Sequence, residues 1–162
     1  MPKIIDNLPF CGVLIKPDVN RRGLYQPLIE EFTHLGFRES QRYDLTLDEG
    51  DVALLYPKEV ELPVARRKLV GYLTSGVSSL VLLETRPEQT VEADITFLQD
   101  IKGRKELRTG IRTKYDEIGI TDQELLSRTG RYYEYMMINC FHIFDTQEQL
   151  IEFVKCRGIK IK

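Results

Sequence analysis

The residues best suited to chemistry stand toward the C-terminal end of the chain. The apolar run Met136-Met137-Ile138-Asn139-Cys140-Phe141 delivers His142, with Asn139 three residues before it and Asp145 three after. A neutral imidazole, with an ordinary pKa of about 6.5, is a nucleophile near neutral pH. At the end of a buried strand its ring can be held in one orientation with an edge toward a cleft. The plain alternative is a core histidine hydrogen-bonded to a neighbour. Two other places supply positive charge. Lys16 follows the apolar run FCGVLI and precedes Pro17, which ends a strand and presets a turn. Between 102 and 114, six cations, Arg104, Arg108 and Arg112 among them, accompany one carboxylate, Glu106, in a stretch with two glycines. Such a loop can wrap a polyphosphate, although the ordinary reading of a charge run is a solvated surface. A nucleophile with positioned cations is what phosphoryl transfer asks of a protein.

These residues need a frame. Residues 10–15 (FCGVLI) and 77–83 (VSSLVLL) are short apolar runs and read as buried strands, while Tyr43, Leu45 and Leu47 alternate as in a half-buried one. Leu24, Leu28, Ile29, Phe32 and Leu35 recur at helical spacing, with Pro27 in the first turn and Gly36 as the stop. Thr46 and Glu49 fit a capping box that opens a short helix ending near Tyr56-Pro57. Pro63 starts another helix, carrying Val64, Leu69, Val70 and Leu73, which Ser75-Gly76 stops. The stripe Val91, Ile95, Leu98, Ile101 predicts a helix over 89–101. Thr121 and Glu124 predict one near 121–128, and Asp145 with Glu148 caps a last helix with Leu150, Ile151 and Val154 inward. This order predicts one α+β domain over 1–162: a ferredoxin-like, four-stranded antiparallel sheet made of two split βαβ halves, with helices covering one face.

Composition narrows the function classes. The length of 162 residues suits a single core, and the net charge of −2 gives no global reason to bind nucleic acid or an anionic membrane. Nucleic acid is an unlikely partner for the basic loop too, since few aromatics interleave with its cations. Three cysteines without CxxC spacing argue against a disulfide framework or a zinc site and fit a reducing compartment. No signal peptide and no run of about 20 apolar residues is visible, so a cytoplasmic protein without a membrane span is expected.

Four separated segments together resemble the nucleoside diphosphate kinases. Lys16-Pro17-Asp18 followed by Arg22-Gly23-Leu24 and Leu35-Gly36-Phe37 is similar to that family's opening. Gly71-Tyr72-Leu73-Thr74-Ser75-Gly76-Val77 resembles its Tyr-Met-x-Ser-Gly-Pro segment, and Gly110-Ile111-Arg112 its Thr-Ile-Arg. Asn139, His142 and Asp145 resemble its Asn-x-x-His-Gly-Ser-Asp. The resemblance covers most of the chain in the right order. It implies a ping-pong transfer of the γ-phosphate from a nucleoside triphosphate to a nucleoside diphosphate, with His142 as the phosphate carrier. It implies that Lys16 and Arg112 contact phosphates, that Tyr56 stands near the histidine and that Asn139 touches the sugar and phosphates. Val64 falls at the platform for the base. The resemblance also implies Mg2+ brought in with the nucleotide, no metal held by the protein alone, and a homo-oligomer.

The departures concern the site itself. Ile143-Phe144 replaces the family's Gly-Ser after the histidine, and a β-branched Ile143 restricts a tight turn. The family's histidine-orienting glutamate aligns with Phe153, with Glu152 one residue, or about 100° of helix, away. Its second phosphate-binding arginine has no helical match, and Arg104 or Arg108 can substitute from the basic loop. The segment 115–135 reads as an insertion relative to the family. The same departures keep open an alternative: a non-catalytic nucleotide-binding or interaction module of the same fold.

Overall fold

A computed structural model describes residues 8–103, 110–111, 115 and 140–162. Four strands, β1 (Phe10–Ile15), β2 (Arg38–Thr46), β3 (Val77–Glu84) and β4 (Phe141–Ile143), form one sheet in the order β2-β3-β1-β4, every neighbouring pair antiparallel. The described helices are α1 (Pro17–Arg21), α2 (Tyr25–His34), α3 (Glu49–Leu55), α4 (Pro63–Leu73), α5 (Val91–Lys102) and α6 (Gln147–Cys156). This is the expected ferredoxin-like order. The predicted helix near 121–128, the insertion 115–135 apart from Tyr115, and the strand residues 136–139 lie outside the described residues.

Helices cover both faces of the sheet, not one. Along β1 the side chains alternate between two separate cores. Cys11, Val13 and Ile15 join Val81, Leu83, Phe141 and Ile143 under α2 and α5, through Leu28, Phe32 and Leu98. Leu14 joins Leu80 and Leu82 under α3, α4 and α6, through Val52, Leu55, Leu69, Leu73, Leu150 and Phe153. A strand buried on both faces reads as a continuous apolar run, so FCGVLI and VSSLVLL already carried this signal. Gly12 faces the second core, where an added Cβ would stand 2.7 Å from Leu150 Cδ1 and 2.8 Å from Phe144 Cδ2. Its missing side chain lets α6 and Phe144 lie directly on β1.

Two helix starts differ from the sequence expectation. α3 is capped by Asp48, not Thr46: the Asp51 N–H donates to Asp48 Oδ1 at 2.9 Å, and the Asp48 N–H donates to Asp51 Oδ2 at 2.8 Å. Thr46 is instead paired with Val77 in the β2–β3 ladder. α6 is capped by Thr146, whose Oγ1 accepts from the Gln149 N–H at 3.1 Å. At its other end α6 is clamped to α3, since Arg157 Nη1 lies 3.1 Å from Asp51 Oδ2 and Nη2 donates to the Thr46 carbonyl at 3.1 Å.

The α5 end of the sheet is fixed by a buried charge. Asp94 is fully buried and accepts from the Arg86 N–H at 2.8 Å and from Arg86 Nε at 2.7 Å. The guanidinium also lies 3.8 Å from the centre of the Phe97 ring. Asp94→Ala is expected to cost about 2–3 kcal/mol, because it removes two charge-assisted bonds and strands a partly buried guanidinium. Urea denaturation of the two proteins would measure it. Cys11 and Cys140 are buried and Cys156 is exposed, none of them in a disulfide. Burial pushes the Cys11 thiol up to about 12, which suits core packing rather than reactivity. Among the described residues no helix is long and apolar enough to cross a membrane.

Candidate functional site

The ends of β1, α3 and β4 bring three of the expected residues together. Lys16 stands where β1 passes into α1, at the N-cap of that helix, and is 1% exposed. Its N–H donates to the Cys140 carbonyl at 2.8 Å, which ties the end of β1 to the residue before β4. Tyr56 is the residue at which α3 stops, with φ −133° and ψ 61°, ahead of Pro57. It projects over the same corner: Lys16 Nζ is 5.4 Å from the centre of its ring. His142 sits in β4 opposite Leu14, and its ring meets Tyr56 edge-on at 5.1 Å between centroids. A cation, a phenol and an imidazole from positions 16, 56 and 142 thus share one corner at the sheet's β4 edge.

The backbone around His142 differs from the expectation of a tight turn after it. Ile143 is an ordinary strand residue, paired with Val13 and buried, and the Phe144 N–H donates to the Gly12 carbonyl at 3.2 Å. Extended backbone is where a β-branched side chain is at ease, so no glycine is needed there. The irregularity comes earlier: Cys140 has φ 68°, a left-handed conformation that costs a residue with a Cβ free energy. This break precedes the strand that presents His142.

Three side chains fix the imidazole from the α6 side. Phe144 meets it edge-on at 5.4 Å and is itself backed by Phe153 at 5.5 Å. Gln149 brings its amide to the ring, with Oε1 3.4 Å from His142 Nε2. The same oxygen accepts from the Asp145 N–H at 3.2 Å, and Gln149 Nε2 lies 3.5 Å from the Leu55 carbonyl. Asp145 turns its carboxylate away, to Gln99 Nε2 at 2.6 Å.

At the position aligned with the family's histidine-orienting glutamate stands an apolar side chain. Phe153 is fully buried in the second core and Glu152 is exposed. The polar contact comes from one turn earlier on the same helical face. Gln149 has no mark in the sequence, because an amide is not the ionised partner that the resemblance implies. Asp18, named above only as part of the Lys16-Pro17-Asp18 segment, is fully buried and accepts a hydrogen bond from the Tyr72 hydroxyl, which couples α1 to α4.

Val64 stands on a different element. It lies in the first turn of α4, 50% exposed, beside Leu62 at 58%. Arg104, Arg108, Arg112 and Asn139 lie outside the described residues. Gly110, with φ 82°, crosses Gly103 so closely that an added Cβ would stand 2.4 Å from Gly103 Cα, and Ile111 beside it is buried in the first core. Among the described residues, no three or more His, Cys, Asp or Glu side chains gather to hold a metal ion.

No protein-family model and no curated protein matches the sequence. Solved structures do match in three dimensions. A nucleoside diphosphate kinase of Aquifex aeolicus is similar with a TM-score of 0.66, over 93% of this chain and 94% of that one, at 18% identity. A nucleoside diphosphate kinase of Borrelia burgdorferi, solved as a transition-state mimic with bound vanadate and ADP, gives 0.64 over 88% and 83% at 16% identity. The chain therefore carries the nucleoside diphosphate kinase fold on a far-diverged sequence.

Proposed function

We propose that this chain is a nucleoside diphosphate kinase-like phosphotransferase that works through a phosphohistidine at His142. The observation that carries the reading is the meeting of His142, Tyr56 and Lys16 at one strand edge, from three distant parts of the sequence. A ring nitrogen of His142 attacks the γ-phosphorus of a nucleoside triphosphate. The bond to the β,γ-bridging oxygen breaks, and the nucleoside diphosphate leaves with that electron pair. The reverse step hands the phosphoryl group to a second nucleoside diphosphate.

Lys16, on its rigid strand end, supplies a cation beside the transferring group, where fixed charge stabilises the charge that develops on the phosphoryl oxygens. On the family resemblance, Arg112, with Arg108 or Arg104, holds phosphates, Asn139 holds the sugar and phosphates, and Val64 offers an apolar contact to the base. On the same resemblance magnesium would come with the nucleotide and would neutralise charge on its phosphates. On the same resemblance the working form is a cytoplasmic homo-oligomer, which sedimentation of the purified protein would test.

The test is incubation with γ-labelled ATP and magnesium. The expected result is acid-labile, base-stable label on the protein that is chased into triphosphate by added nucleoside diphosphate. One observation favours a second reading, a nucleotide-binding module without catalysis: the partner at His142 Nε2 is a neutral amide where the family has a carboxylate. Calorimetric binding of nucleotide without any label would select that module. Absence of both label and binding would sink both readings.

A further inference from the structure

After α6 the chain turns back along β2, the outer strand on the side of the sheet away from β4 and His142. Gly158, with φ 64° and open space where a Cβ would stand, ends the helix, and the Ile159 N–H closes it on the Val154 carbonyl at 3.0 Å. Residues 159–162 then run antiparallel to β2: the Lys160 carbonyl lies 3.1 Å from the Tyr43 hydroxyl, and Lys162 lies at Gln41. The Gln41 amide makes both bonds that a neighbouring strand would make. Its Nε2 donates to the Lys162 carbonyl at 3.0 Å and its Oε1 accepts from the Lys162 N–H at 3.0 Å. The Tyr43 hydroxyl also contacts Gln41 Oε1, so the two side chains form one recognition group.

Ile159 and Ile161 are half-buried and pack on the second core, as do Tyr43 and Leu45 of β2, whereas Lys160 and Lys162 are exposed. Alternate residues of the segment thus point in and out, as in a strand. The atoms that Gln41 and Tyr43 bind on it are backbone atoms, which almost any residue supplies. Such a surface reads an extended backbone with an apolar side chain at every second position. We propose that this face of β2 is a docking groove for an extended peptide segment of a partner chain with apolar residues at alternate positions, and that residues 159–162 occupy it as a built-in competitor. Main-chain bonds supply the affinity and the two apolar sites the specificity, as where a sheet edge accepts a strand. The groove stands whether or not the corner at His142 is catalytic.

The resident segment is built to leave. Gly158 is a pivot that no neighbouring side chain hinders, and the core contacts of α6, through Leu150, Phe153 and Val154, lie before it. Being tethered, the segment acts at an effective concentration on the order of millimolar, so an incoming peptide must outcompete it. A partner segment can do so by length: Lys162 lies at Gln41, whereas β2 extends to Arg38. Residues 159–162 of a second copy are the rival occupant. They would only exchange contacts already made at home, which gives them no such advantage.

The probe is a fluorescein-labelled peptide, Gly-Ile-Lys-Ile-Lys, titrated with the full chain and read by anisotropy. The wild type should bind it weakly. Ile161→Ser, which loosens the resident segment by removing half-buried apolar surface, should bind it about 10-fold more tightly. Gly-Ile-Ile-Lys-Lys, of the same composition with its isoleucines adjacent, should bind that variant about 10-fold more weakly, since one isoleucine must then face solvent. Gln41→Leu added to Ile161→Ser should lower the affinity for the first peptide by about 10-fold, through the loss of both amide bonds. Equal affinity for the two peptides, no gain in Ile161→Ser or no loss with Gln41→Leu overturns the inference. If Ile161→Ser does not fold, Lys162→Pro, which removes the N–H bound by Gln41, takes its place with the same expectations. No peptide binding, together with a concentration-dependent dimer in sedimentation that Gln41→Leu abolishes, would overturn the partner segment in favour of a second copy.

Discussion

His142→Ala is expected to abolish phosphoryl capture, lowering the rate of protein labelling from γ-labelled ATP by at least about 10³-fold. Both half-reactions pass through the same nitrogen, so triphosphate formation must fall by the same factor. A loss in one direction only would contradict the ping-pong scheme. Nucleotide affinity should change little, since Lys16 keeps its place through its own N–H bond to Cys140, which the substitution does not touch. The fold should survive. The ring contributes edge contacts to Tyr56 and Phe144 and one bond to Gln149, and their loss costs about 1–2 kcal/mol. For a domain of this size that is a fall in Tm of several degrees. Measured together, labelling, affinity and Tm separate a missing nucleophile from a collapsed site. Undiminished labelling in the variant would place the phosphate on another residue.

The parts of this corner that were legible in the sequence are those fixed by local physics. The runs at 10–15 and 77–83 are mostly apolar and short, which marks them as buried strands, and Pro17 dictated where the first one stops and where Lys16 would stand. Pro57 likewise marked the end of α3 and the place of Tyr56. What was not legible is decided by partners far away in sequence. Thr46 and Asp48 are both good caps with an acidic residue three positions on, and local preference does not separate them. Pairing with Val77 draws Thr46 into the ladder and leaves the cap to Asp48. Asp145 and Thr146 compete in the same way, and Gln99 settles it by taking the Asp145 carboxylate. The covering of both faces had a signal in FCGVLI, which was read as burial without being read as double burial. Gln149 had none of this kind. Its role depends on how far α6 is rotated against β4, and that angle is set by Phe144 and Leu150 settling over the side-chain-free Gly12.

That rotation leads to the second large effect, at Phe153. This position aligns with the glutamate of the nucleoside diphosphate kinases, so Phe153→Glu would seem to restore the family's site. The opposite is expected. Phe153 is fully buried, backs Phe144 at 5.5 Å and lies in the core with Leu14, Leu80 and Leu150. Phe153→Ala should cost about 3–5 kcal/mol, from lost apolar burial and the cavity left behind. Phe153→Glu adds the desolvation of a carboxylate placed among apolar side chains, and should leave little folded protein at room temperature. Gln149→Glu, one turn away on the same face, should stay folded because position 149 is only partly buried and already polar. Denaturation curves for the three variants provide the measurement. If Phe153→Glu were folded and its carboxylate reached His142, α6 would have to be turned by about 40° from the orientation described, since four residues overshoot one helical turn by that angle. Gln149 would then lose its place at the ring. The order of stabilities is therefore also a test of which side chain of α6 orients the imidazole.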